Sequence, residues 1–88
     1  MQLHPQYYYQ QLPPQERAAY HGMLACLQAP APSARIPRLP METLSTLFFQ
    51  LRLDHPEIFY AVGFSCRAVP EAAFVEFCPE YRFEKKRI

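Results

Sequence analysis

Ten prolines against two glycines in 88 residues constrain this chain more than any other feature. Proline fixes φ and removes a backbone donor, so it ends helices, starts them, or confines a strand to an edge. Pro13 and Pro14 make a first break, and Pro30, Pro32, Pro37 and Pro40 bracket a segment, Ala29 to Leu39, that reads as an extended linker inside the domain. Pro56 and Pro70 mark two more turns. Pro79 falls in a strand-like run, where it demands an edge or a bulge. No internal repeat or low-complexity tract is present.

Between these breaks the apolar spacing is legible. Pro14 suits the first helical turn and Glu16 favours its positive end, after which Tyr20, Met23, Leu24 and Leu27 recur at three- and four-residue intervals. This predicts a helix over about 14–28. A shorter one over about 5–12 would carry Tyr7, Tyr8 and Tyr9, which point in three directions, so that Tyr8 or Tyr9 covers the core with Leu12 or an exposed ring serves an interface. A third helix, about 41–54, starts near Pro40 or Met41 with Glu42 in its first turn and Arg52 in its last, and repeats Leu44, Leu47, Phe48 and Leu51. Phe49 and Leu53 widen its apolar face, which predicts contact from two sides.

After Pro56 the period changes from 3.6 to 2. Ile58, Tyr60, Val62, Phe64 and Cys66 share one parity, and Ala73, Val75, Phe77, Tyr81 and Phe83 share one in a second run. Strands over about 58–66 and 73–83, turning at Arg67 to Ala72, form an antiparallel hairpin. A hairpin alone is unstable in water, so the expected class is α+β: two or three N-terminal helices packed on a C-terminal hairpin, in a single small domain over 1–88. Its outward face, with Phe59, Ala61, Phe74 and Cys78 among charged residues, would be partly exposed, and the strand beginning at Ile58 would offer an open edge.

The balance of nine basic and eight acidic residues gives no electrostatic footprint for nucleic acid or an anionic membrane, and no apolar run is long enough to span a membrane. The start, Met1 to Gln11, does not read as a signal peptide. Cys26, Cys66 and Cys78 with His4, His21 and His55 could supply a thiolate–imidazole pair or a zinc site, but their spacings match no metal framework. Cys26 and Cys66 fall at inward positions, and Cys78 has outward parity, so Cys66 and Cys78 would lie on opposite sheet faces. Asp54 and His55 could be an orienting pair for a nucleophile; the simpler role is bonding loose backbone groups at the helix end. The basic end Lys85, Lys86, Arg87 reads as a solvated exit from the last strand. No catalytic, cofactor-binding or metal residue is expected.

The run Asp54-His55-Pro56-Glu57-Ile58-Phe59-Tyr60, preceded by the helix Leu44 to Leu53, resembles the N-terminal portion of bacterial proteins, mostly from Firmicutes, that carry a transglutaminase-like cysteine peptidase domain further along. The similarity extends to Tyr7 to Tyr9 with Leu12, to Gln15-Glu16, Tyr20 and Leu24, to the segment Pro30 to Pro40, and to Pro79-Glu80-Tyr81. No cysteine here matches the family's nucleophile motif, so no catalytic residue carries over. The resemblance implies a non-catalytic accessory domain at the cell surface, packing against or presenting substrate to the catalytic domain. The alternative is a free-standing interaction domain that dimerises by joining hairpin edges with a second copy of itself.

Overall fold

A computed structural model describes residues 10–82. Of the helix expected at 5–12, Gln10 and Gln11 are helical and Leu12 is a bend packed against the core; residues 5–9, including Tyr7 to Tyr9, lie outside the described residues, as do Phe83 and the basic end. Helix α1 spans Pro14–Gln28 and strand β1 Ala34–Pro37. Helix α2 follows at Met41–Asp54, then a single 3₁₀ turn at Pro56–Ile58, strand β2 at Ala61–Ala68 and strand β3 at Phe74–Tyr81.

The class is α+β, but the sheet has three antiparallel strands in the order β1-β3-β2, not two. The third comes from the segment expected to be a linker. Ala34 and Ile36 point inward and Arg35 outward, in register with Phe77, Val75 and Glu76. Pro37 is tolerated because β1 is an edge strand, whose outer side needs no donor. Since β3 runs antiparallel to both neighbours, β1 and β2 are parallel to each other and α2 is the crossover between them, a split βαβ unit.

Pro79, expected at an edge or a bulge, meets a local edge rather than an edge strand. It sits in the central strand, but beyond the Ala34↔Phe77 pair where β1 ends, so β3 has a neighbour on one side only there. Strand β2 also starts later than expected. Pro56 and Glu57 enter the 3₁₀ turn, and an irregularity between Ala61 and Gly63 shifts the alternation. Val62, expected inward, is consequently exposed, and Ala61, expected outward, is fully buried. Phe64 and Cys66 regain the inward parity and pack against the core.

Both helices cover one face of the sheet. Ala19, Tyr20, Met23, Cys26 and Leu27 of α1 and Leu44, Leu47, Phe48 and Leu51 of α2 join Ile36, Ile58, Ala61, Val75 and Phe77 in a single buried cluster. Phe48 stands at its centre, with ring centroids 5.0 Å from Phe64 and 6.3 Å from Phe77. Helix α1 comes close to β1: a Cβ at Gly22 would lie 2.9 Å from Ile36 Cγ2. The opposite face of the sheet carries charged residues beside the exposed Phe74, as expected for that residue. Glu76 lies between Arg35 and Arg67 in register, accepts from Ser33 Oγ at 2.9 Å and pairs with Arg67 at 2.7 Å.

The end of α1 has no basic residue in its last turn and no glycine after it. Its loose carbonyls are taken up from the sheet instead, Tyr60 Oη donating to Leu27 O at 2.7 Å and Tyr81 Oη to Ala31 O, just beyond the helix, at 2.6 Å. Burial, and the Cys26 thiol nearby, push the Tyr81 hydroxyl pKa up to about 12.

Candidate functional surface

The corner between α2 and β2 is built by the sequence that follows Leu53. Pro56 keeps His55 out of the helical region, and His55 adopts φ −129°, ψ 75° while its N–H still closes onto Leu51 O at 2.9 Å. Of the two residues expected to bond the helix end, His55 does so through its backbone N–H, whereas the Asp54 carboxylate accepts from Tyr20 Oη at 2.6 Å and Gln50 Nε2 at 2.9 Å, tying α2 to α1. His55 Nδ1 instead meets Glu57 Oε2 at 3.0 Å. Glu57's own backbone N–H, then His55, hold its carboxyl below the usual range. The 3₁₀ turn that follows buries Ile58, swings Phe59 out, and returns Tyr60 toward the core.

The result is an apolar surface. Phe59 is 76% exposed, Phe49 63%, Leu53 60% and Val62 46%. Neither Phe49 nor Leu53 has the second contact expected for it, because the split βαβ places α1 against β1 and α2 and leaves this flank of α2 uncovered. Two grooves run through the surface: one of about 320 Å³ lined by Phe49, Arg52, Leu53, Pro56 and Phe59, and one of about 450 Å³ lined by Arg52, Phe59, Tyr60, Val62 and Arg82. Arg52 and Phe59 belong to both. The guanidinium carbon of Arg52 lies 5.9 Å from the Phe48 ring centroid, and its Nε is buried with no hydrogen-bond partner.

The nucleophile and metal candidates are not assembled. All three cysteines are free. Cys26 is buried in α1 with its thiol turned to Ala31 O, and desolvation raises its pKa; desolvation raises that of Cys66 as well, the reverse of what activates a thiolate. Cys66 pairs with Phe77 on the inner face and Cys78 with Ser65 on the outer, so the two thiols occupy opposite faces. His21 is exposed on α1, and His4 lies outside the described residues. Among the described residues no group of three His, Cys, Asp or Glu side chains could hold a metal ion, and no helix is long and apolar enough to cross a membrane. A further recess of about 480 Å³ at the start of α2, lined by Glu16, Pro40, Glu42, Thr43, Thr46 and Leu47, contains no nucleophile paired with a base.

Sequence reasoning passed over Arg52, read only as a favourable charge at the helix end, and over the exposure of Phe49 and Leu53. The signal was the breadth of the α2 apolar face, wider than one short hairpin could cover. Comparison of the chain with protein-family models, with curated proteins and with solved structures finds no match.

Proposed function

We propose that the chain is a non-catalytic interaction domain that docks onto another protein domain through the α2–β2 corner. The observation that carries this reading is the contiguous exposure of Phe49, Leu53, Phe59 and Val62, an arrangement that costs solubility and contributes little to the core. The transglutaminase-like parent proteins remain the context in which we place it, as an accessory domain whose contact corner is formed by Asp54 to Tyr60, the run that carries the resemblance. That context rests on the resemblance alone.

Titrating the labelled chain with the transglutaminase-like domain from a protein carrying the same run tests it. Amide shifts confined to 49–62, abolished by a folded L53S/F59S double variant, are expected. Absence of any binding would remove the accessory reading.

The edge of β2, unpaired among the described residues, favours a second reading, a dimer joined through 64–68, the regular part of that strand. Amide exchange of 64–68 that slows on concentration, in a species sedimenting as a dimer, is its signature. Equal protection at both concentrations in a monomer refutes it.

A further inference from the structure

Building on that docking surface, we propose that its partner is an acidic peptide segment, in which an aromatic or branched aliphatic side chain fills the groove beside Phe59 and a neighbouring carboxylate meets Arg52 and Arg82. The side chains that line the two grooves are apolar except for two guanidinium groups and the Tyr60 hydroxyl, which is already donated to Leu27 O. No acidic side chain lines either one. The three ion pairs among the described residues engage Arg35, Arg67 and His55; neither Arg52 nor Arg82 belongs to them. Glu57, the nearest acid in the chain to Phe59, is held by His55.

Arg52 is the more telling of the two. It lines both grooves, its Nε is buried without a partner, and no acid of the described residues pairs with its guanidinium, so its charge is left for a bound carboxylate to neutralise. Because a guanidinium offers a planar fork of donors, a side-chain carboxylate can be held while the adjacent residue packs on Phe59. The Arg82 backbone N–H is fixed on Tyr60 O at 2.7 Å, which places the root of the second arginine at the rim where the chain leaves β3.

The same charges disfavour a second copy as occupant. An isologous contact centred here would bring Arg52 and Arg82 of each protomer against one another with no acid between them. A protein segment bearing its own carboxylates removes that repulsion.

Selection of a displayed library of random 12-residue peptides on the immobilised chain tests this. Sequences combining Asp or Glu with Phe, Trp, Leu or Ile are expected, and a synthetic copy of the strongest should perturb amides of 49–62. Its Asn/Gln analogue should bind about tenfold more weakly, as should the chain carrying R52Q or R82Q. The exposed Arg82 position keeps the test valid should R52Q unfold. Selected peptides without acidic enrichment, or an affinity indifferent to both arginine substitutions, overturn the carboxylate proposal while leaving an apolar docking site. Selection that is unchanged on the folded L53S/F59S variant overturns the docking reading with it. Binding to phosphatidylserine vesicles that R82Q abolishes, with no peptide selected, replaces the peptide by an anionic membrane surface.

Discussion

The two edges of the sheet are finished to different degrees. At β1 the strand is four residues long, ends in Pro37, and lies beneath α1, with Gly22 admitting Ile36 at close range. At β2 the strand is eight residues long and contains no proline, and beside it Phe49, Leu53, Phe59 and Val62 stand in solvent. Only the irregularity at Val62 disturbs that edge. A domain this small closes one side of its core completely and stops short on the other, so its stability and its capacity for contact are concentrated in different halves.

The sharpest test compares neighbours on α2. Phe48→Ala removes the ring between Phe64 and Phe77 and should cost about 3 to 5 kcal/mol in urea unfolding, a large share of the stability of such a domain. Phe49→Ala, one residue on, should cost less than about 0.5 kcal/mol. Equal losses would mean that the uncovered flank is part of the core after all.

How far this division could be read from the sequence depends on the element. The spacing of Leu44, Leu47, Phe48 and Leu51 identifies their buried face, because a helix repeats its geometry without reference to distant partners. The parity of Val75 and Phe77 does the same for β3. Strand β1 was hidden: Ala34 to Pro37 is only four residues among prolines, and its strand character depends on pairing with residues some forty positions later. The exchange of faces at Ala61 and Val62 was hidden for a similar reason, since a local shift in register leaves no mark on alternation until the partner strand is known. Of the candidate surface, the corner at His55 was legible as the end of a helix, but the exposure of Phe49, Leu53 and Val62 beside it was not. The corner's consequence is the outward swing of Phe59, which follows from a 3₁₀ turn rather than from any property of His55.

The closed side can be strained where the open side cannot. Gly22→Ala gains about 1 kcal/mol of helix propensity but forces a methyl group against the fully buried Ile36, a crowding worth about 1 to 3 kcal/mol. We expect a net loss of about 1 kcal/mol, reduced when the same change is made in an Ile36→Ala background. A stabilised single variant would show that α1 sits less tightly on β1 than the geometry indicates.

Alkaline pH acts on the same side. The Tyr81 pKa, raised to about 12, means that folding favours the neutral phenol. Its contribution is therefore fully present below the ordinary tyrosine value of about 10 and is lost as pH rises from there toward 12. The urea midpoint should fall over that window in the native chain and fall less in Tyr81→Phe, which itself starts lower because Ala31 O loses its donor. Parallel curves for the two proteins would dissociate the hydroxyl from the alkaline transition.

The smallest change in stability is expected where the functional change should be greatest. Phe59 touches Tyr60 edge-on at 6.0 Å but is otherwise turned to water, so Phe59→Ser removes almost no buried area and should shift the unfolding free energy by less than about 0.5 kcal/mol. The chain has no structural need for an aromatic ring there. It adopts its position because Ile58 must point inward and Tyr60 must reach Leu27 O, which leaves the residue between them facing out. A polar residue would serve that geometry as well and would keep the surface better hydrated. If Phe59→Ser destabilises the fold by more than 1 kcal/mol, the ring is a structural cover for the Arg52 stem and the division between the two edges loses its basis. If it leaves stability untouched while removing peptide binding, the open edge is open for a partner.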